Sequence, residues 1–483
     1  MIYSPLTKAC VMALTVGSIV LTGCKSTTDT HSQAQVVAET SSSFSMPKYE
    51  KYQMANGLTV YLMQRKEVPL ITLNAVVRAG SVNDAISGEA GMTAEALVLG
   101  AGNQSKTQIE NAVDFLGASL GTGAGREGSS VNSSFMAKDM NTMLPIFTSV
   151  LTQPKFDSVE FAKMKKQQIA GLAQAKESPR NVIGSYFNKF MFGNQPYGNP
   201  TSGDRNSLKK INVATLKRFY QQYYQPSNTA ITVVGDFNIA QMKAQLNQAL
   251  GGWKNTHSIS QPDLSANLTS YNSSRVLLVN KGDAIETRFL IGGKGVAFDN
   301  PDSVAISVVN TILGGRFTSW LNDELRVNAG LTYGAGSGFS EYSKAGLFRI
   351  SSFTKTSTTK EAIDLALKTY DRLWSQGIDA ATLKSAKAYV KGQFPPDFET
   401  NGQLAGLLGN MYLYGVGDSY INDFENKVNS LTVAETKRII DTYFPREHLQ
   451  FVLVGNAAKI APIVAKYGKV TQVDIKAVGF DSK

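Results

Sequence analysis

The periodic part of the chain opens with alternation. Leu58, Val60 and Leu62 interleave with Thr59 and Tyr61, the two-residue spacing of a strand with one face turned inward. Asn56-Gly57 separates this run from Tyr52, and the dipeptide predicts a hairpin, because both residues tolerate positive φ. A second strand is predicted over Leu70–Val77. Spacing of three and four then takes over. Helices are predicted from Gly88 to about Leu99, from an N-capping Ser105 to Leu116, and from about Ser158 to Lys176. Strands and grouped helices in mixed order predict an α+β fold with a largely antiparallel sheet, not a doubly wound one.

The pattern then recurs. Val213–Gly235 lies on Val433–Gly455 without a gap at an offset of 220, with seven identities in 23 positions: Val213/Val433, Ala214/Ala434, Lys217/Lys437, Arg218/Arg438, Tyr223/Tyr443, Val234/Val454 and Gly235/Gly455. One or two would be expected from ordinary composition. Each copy reads as an amphipathic helix leading into a buried strand closed by glycine. A unit of this length is no solenoid repeat, so duplication of a whole α+β half is the economical reading. The polar stretch from about Trp253 to Asn272, with Pro262, is the expected linker. The organisation predicted is a first half over 46–253, a linker over 254–272, a second half over 273–470 and a tail over 471–483.

The start of the chain has another character. Lys8 precedes an apolar run from Ala9 to Val20, then Leu21-Thr22-Gly23-Cys24. This predicts a secretory signal over 1–24, too short to be a stable membrane span. Leu-Thr-Gly-Cys is similar to a bacterial lipobox, which implies lipidation of Cys24; Lys25 then implies sorting to the outer membrane, with the protein on its periplasmic face. Cleavage there removes Cys10 and leaves no intrachain disulfide. Residues 25–45, rich in Ser, Thr and Gln, read as a flexible tether. The net charge of +10 is spread out, with nothing longer than pairs such as Lys165-Lys166 and Lys209-Lys210. No concentrated basic stripe for nucleic acid is visible.

Asn56-Gly57-Leu58-Thr59-Val60, Gly88-Glu89-Ala90, Pro196-Tyr197-Gly198 and Val233-Val234-Gly235-Asp236, in this order and at this length, resemble the pitrilysin/insulinase metallopeptidases, in particular the two-half subunits related to mitochondrial processing peptidase. The resemblance runs from about Met46 to Gly468. It implies two homologous halves, each a mainly antiparallel sheet packed by helices, forming a clam-like cleft. Active members carry HxxEH just after the Gly-x-Ala, two histidines holding zinc and the glutamate activating water, with a further glutamate on a downstream helix. Here the matching stretch is Gly91-Met92-Thr93-Ala94-Glu95. Gly91 and Glu95 stand at the histidine positions, Ala94 at the base, and the downstream position falls at about Gly171. Glu95 alone holds no zinc, since sites need three or four convergent ligands. The three histidines offer no substitute: His31 lies in the tether, His257 in the linker, and Glu447-His448 is preceded by Phe444 where HxxEH needs histidine.

The positive signal lies in the second half. Leu325-Arg326-Val327-Asn328-Ala329-Gly330-Leu331-Thr332-Tyr333 resembles the family's Leu-Arg-(x)3-Gly-Leu-x-Tyr segment. The resemblance implies that Arg326 and Tyr333 bind the substrate backbone and stabilise the developing oxyanion. A charged donor fork and a phenol suit that task. Arg326 is expected near a helix C-terminus, Gly330 in a left-handed turn and Tyr333 at the start of a strand. The alternative is that Arg326 pairs with Asp323 and Tyr333 merely packs.

Gly123-Ala-Gly-Arg-Glu-Gly128 matches GxGxxG, but Ser129–Phe135 after it reads as a strand, so a glycine-rich turn is expected and not a dinucleotide site. These readings converge on a subunit without zinc of its own, inactive alone, that pairs with a zinc-bearing homologue and binds peptides. A zinc endopeptidase with unrecognised ligands and a non-enzymatic peptide-binding scaffold are the alternatives.

Overall fold

The computed structural model describes residues 45–264 and 271–481. The lipobox with Cys24, His31, nearly all of the tether and part of the linker lie outside the described residues.

Asn56-Gly57 makes the turn expected of it. Gly57 has φ +92°, and Asn56 Oδ1 accepts from the amide of Leu58 at 3.2 Å. The turn joins β1 (Glu50–Gln53) to β2 (Thr59–Gln64) as an antiparallel pair. Then follow β3 (Leu70–Val77), the small hairpin of β4 (Gly100–Ala101) and β5 (Gln104–Ser105), β6 (Ser119–Ala124), β7 (Ser129–Met136) and β8 (Thr229–Gly235). The second half holds β9 (Arg275–Asn280), β10 (Glu286–Lys294), β11 (Ala335–Glu341), β12 (Gly346–Lys355), β13 (Gln450–Gly455) and β14 (Lys469–Asp474). The first six-stranded sheet has the order β1-β2-β8-β3-β7-β6 and the second β14-β9-β13-β10-β12-β11. Five positions correspond one to one, including a parallel pair beside the centre, β2 with β8 and β9 with β13. The repeat is visible in three dimensions: helices Val213–Tyr223 and Val433–Tyr443 lie at the same offset and lead into β8 and β13.

The sixth position differs. In the first sheet it is filled by β1, antiparallel and preceding its neighbour; in the second by β14, parallel and following it. Residues 471–474, expected in a tail, are therefore strand. Val470 and Val473 stand three apart and break the two-residue beat, while the open edge of β9 supplies the pairing that fixes them. The predicted helices form close to their expected bounds, as Glu89–Ala96, Lys106–Phe115 capped by Ser105, and Ser158–Ala175 capped by Asp157. Gly123 to Gly128 is a strand end and turn, with the Gly125 amide donating to Gly128 O at 2.7 Å.

Both faces of each sheet are buried, which period-two alternation makes possible. Val60, Leu62, Leu73 and Ala75 face helices of their own half. Tyr61, Met63, Val76 and Val234 face the other way, onto Leu404, Leu408 and Met411 of helix Asn401–Tyr414, which belongs to the second half. The second sheet is covered reciprocally: Leu277, Val279, Leu290 and Val452 pack against Val182, Ile183, Tyr186 and Phe187 of helix Pro179–Phe192 of the first half. Each half lends the other a helix. Gly409 marks the closest approach, since a Cβ there would stand 2.8 Å from Val76 Cγ2.

A buried carboxylate fastens the seam. Glu127, in the β6–β7 turn, accepts from Tyr197 Oη at 2.8 Å and from the Ser343 amide at 2.9 Å, joining the first half to the β11–β12 turn of the second. The rings of Tyr197 and Tyr342 stack beside it at 5.0 Å.

Candidate functional site

The helix at the zinc-motif positions is held firmly at its start. The Asp84 carboxylate accepts from the amides of Gly88 at 2.7 Å and Ala90 at 2.8 Å. Glu89 is 1% exposed, and its carboxylate meets Arg218 at 2.6 Å. Gly91 faces the Thr201 carbonyl, and a Cβ at Gly91 would stand 2.9 Å from that oxygen. Any side chain at Gly91, an imidazole included, must displace backbone. Ala94 is buried and offers no base. Glu95 is half-buried and accepts a hydrogen bond from the Gln168 side chain; burial raises its carboxyl above the ordinary glutamate value, against the lowering by Gln168.

The helix opposite, Ser158–Ala175, meets Glu95 through Gln168. Gly171, one turn further on, is exposed, with open space where a side chain would begin. An amide, two glycines and an alanine do not make a zinc shell around one carboxylate. The residues present do not fit the metal. His257 and His448 are exposed and distant in sequence from this helix; His257 Nδ1 lies 3.0 Å from Thr256 Oγ1. Among the described residues, no three of His, Cys, Asp and Glu gather closely enough to share an ion.

The Arg326 segment is built from unusual backbone. Two wide-turn (π) helical stretches, Thr311–Gly315 and Asp323–Asn328, flank the short helix Trp320–Asn322; such turns frequently mark functional sites. Arg326 lies in the last turn of the second stretch, and Gly330 follows with φ +62°. The expected strand begins later than anticipated, at Ala335. Thr332 Oγ1 accepts from the Gly334 amide at 3.1 Å, a local turn that holds Tyr333 outside the sheet. Tyr333 is 85% exposed. Arg326 lies over the Phe317 ring, 4.6 Å from its centroid. Among the described residues, no carboxylate pairs with Arg326, and Glu324 is taken by Arg372 at 3.2 Å. Tyr333 is thus turned to solvent and Arg326 is half-exposed, neither with a carboxylate partner among the described residues.

A cavity of about 720 Å3 lies where the two halves meet, beneath the end of helix Ser158–Ala175. Leu172, Lys176 and Arg205 line it from the first half, and Lys281, Asp474 and Phe480 from the second. Sequence reasoning missed this seam, the Glu127 junction and the exchanged helices. An acid inside a glycine-rich turn was the one local hint of Glu127.

Residues 60–205 match the family described as Insulinase (Peptidase family M16), and residues 210–390 match Peptidase M16 inactive domain. The chain belongs to the M16 family. A Helicobacter pylori protein called Non-peptidase homolog YmxG is 24% identical over 349 residues, covering 71% of this chain and 78% of its own. A Bacillus subtilis protein called Uncharacterized zinc protease YmxG is 20% identical over 402 residues, 83% of this chain and 96% of its own. The crystal structure of a peptidase M16 inactive domain from Pseudomonas fluorescens superimposes with a TM-score of 0.77 at 26% identity, covering 84% of this chain and 98% of that one.

Proposed function

We propose that this chain is a non-catalytic, peptide-binding subunit of a heteromeric zinc peptidase. Arg326 and Tyr333 bind the substrate backbone and the developing oxyanion in a cleft shared with a zinc-bearing homologue. The chain is anchored by lipidated Cys24 on the periplasmic face of the outer membrane.

One observation carries the reading. The ligand positions are filled by Gly91 and a Glu95 already bonded to Gln168, the base position by Ala94, and Thr201 backbone lies where the first ligand would grow. Yet, among the described residues, no carboxylate engages the Arg326 and Tyr333 donors. A chain that keeps oxyanion donors without a metal is complete only beside another that supplies one. The Helicobacter relative's name, a non-peptidase homolog, supports the same reading.

Purified chain should hydrolyse no peptide alone and should raise hydrolysis by its zinc-bearing partner. Removing one transition-state donor, as in Arg326→Ala or Tyr333→Phe, should lower kcat/KM of the complex by roughly 10²–10³. The partner's zinc content and the assembly of the complex should not change. Chelator-sensitive hydrolysis by this chain alone would refute the proposal, and lost assembly in Tyr333→Phe would make that residue structural.

A further inference from the structure

The second half contains a cavity that the peptide-binding reading does not use. It measures about 610 Å3 and lies between helix Ser303–Asn310, the end of β11, and the chain from Tyr389 to Phe424. Its wall is aromatic. Phe298, Tyr389 and Tyr420 contribute rings, and Phe394 and Phe424 stack at 3.6 Å. Phe298 also stacks on Tyr414 at 4.1 Å and on Tyr420 at 5.5 Å. Two carboxylates line the cavity, Glu341 and Asp397, and among the described residues no lysine, arginine or histidine does. In a chain of net charge +10, that local balance is reversed.

Among the described residues, no hydrogen-bond donor or basic group reaches the Glu341 carboxylate. Arg349, on the neighbouring strand, pairs with Gly338 in the register. It therefore projects from the opposite face of the sheet to Glu341, where it donates to Ser340 Oγ at 2.5 Å. Arg438, near Ser303, is occupied by Asp302 at 2.8 and 3.0 Å. Arg316 is not among the lining residues; it lies 5.9 Å from the Tyr389 ring centroid and donates to Ser385. Among the described residues, the charged side chains lining the cavity are thus carboxylates, set among aromatic rings and neutral side chains.

Ring faces attract a cation through their quadrupole, and an ionised carboxylate adds a charge-assisted hydrogen bond. An alkyl chain leading to such a cation would lie against Val304 and Ile306. The volume is in the range of small-molecule sites, about 300–1,000 Å3. We propose that this cavity binds an alkylammonium or guanidinium group, with Glu341 as the counter-ion and Phe298 and Tyr420 as the ring wall. The cation comes from the side chain of a basic residue in a polypeptide or from a free amine of the same chemistry. Burial raises the Glu341 carboxyl to about 7 in the empty site, as expected of a carboxylate awaiting a positive partner.

The site can be tested on the full chain, without any partner subunit, by calorimetric titration with agmatine, with cadaverine, and with short peptides carrying Lys, Arg or norleucine at one position. Saturable binding of the amines or basic peptides is expected, with the norleucine peptide at least tenfold weaker. Glu341→Gln, which keeps the side-chain shape, should weaken the cations at least tenfold while the far-ultraviolet spectrum and Tm hold. Tyr420→Leu should weaken them about threefold or more. Preference for basic peptides over free amines assigns the source to a polypeptide, and the reverse assigns it to a small amine; both support the site. Absence of saturable binding up to millimolar ligand overturns it, as does full affinity in Glu341→Gln. Neither result bears on the rescue of a zinc-bearing partner, so the two proposals fail separately.

Discussion

Arg218 and Arg438 occupy one position of the duplicated unit and make one kind of contact. Arg218 grips Glu89 at the start of helix Glu89–Ala96, and Arg438 grips Asp302 before helix Ser303–Asn310. Shared residues in the repeat thus preserve a joint between equivalent helices. Glu89 is the buried member of its pair, so Arg218→Ala should destabilise the protein by about 1–2 kcal/mol; the arginine's own exposure keeps the loss below that of a fully buried pair. Urea unfolding monitored by circular dichroism measures it. Restoring the metal motif by Gly91→His, Ala94→Glu and Glu95→His together should give no stoichiometric zinc by elemental analysis, because Thr201 O occupies the space of the new side chain. Glu341 gives a pH signature. With its carboxyl raised to about 7, it is mostly protonated at pH 6 and mostly ionised at pH 8. Amine affinity should therefore rise about tenfold over that interval, the change in ionised fraction, and stay nearly flat in Glu341→Gln. Asp397, Tyr389 and Tyr420 line the same space, and Tyr414 stacks on Phe298 of its wall; burial and nearby negative charge raise Tyr414 to about 12, leaving it neutral throughout the interval.

At the scale of elements, the exchanged helices carry the largest prediction. Leu408 is fully buried against the first sheet, and Leu408→Ala should cost about 2–5 kcal/mol. Gly409→Val should also destabilise, by forcing the helix off Val76; thermal unfolding tests both. Local signals made much of the fold legible: the Asn56-Gly57 turn, the Ser105 cap, and the repeated helix-to-strand unit at 213–235 and 433–455. Each depends on residues close in sequence. The exchange depends on residues far apart in the sequence, 331 positions where Asn74 Nδ2 donates to Ala405 O at 3.3 Å. Periodicity shows that helix Asn401–Tyr414 is buried, but not beneath which sheet. β14 was missed because its valines fall off the strand beat, and the start of β11 because the Thr332 turn delays it. The candidate site divides in the same way. The missing ligand at Gly91, the missing base at Ala94 and the Arg326–Tyr333 spacing are read directly, whereas Gln168 as the partner of Glu95 needed the packing of two helices.

For the molecule as a whole, the two sheets are distinct but their coverings are not. A chain ending at residue 260 lacks helix Asn401–Tyr414 and leaves Tyr61, Met63, Val76 and Val234 uncovered. Produced alone, it should bind hydrophobic dyes and aggregate; co-production with residues 261–483 should restore solubility, read by the soluble fraction and by gel filtration. Separately made halves that are each soluble, monomeric and dye-silent would show the exchange to be dispensable. The proposed pairing adds a second level, in which a chain already woven from two halves contributes Arg326 and Tyr333 to another. The weaving also sets an order in time. The last strand of the first sheet, β8, is complete at Gly235, but its cover ends at Tyr414. At about 5–20 residues per second, a ribosome needs roughly 10–35 s to make the intervening stretch. Throughout that interval a nascent, half-dressed sheet is a natural client for a chaperone.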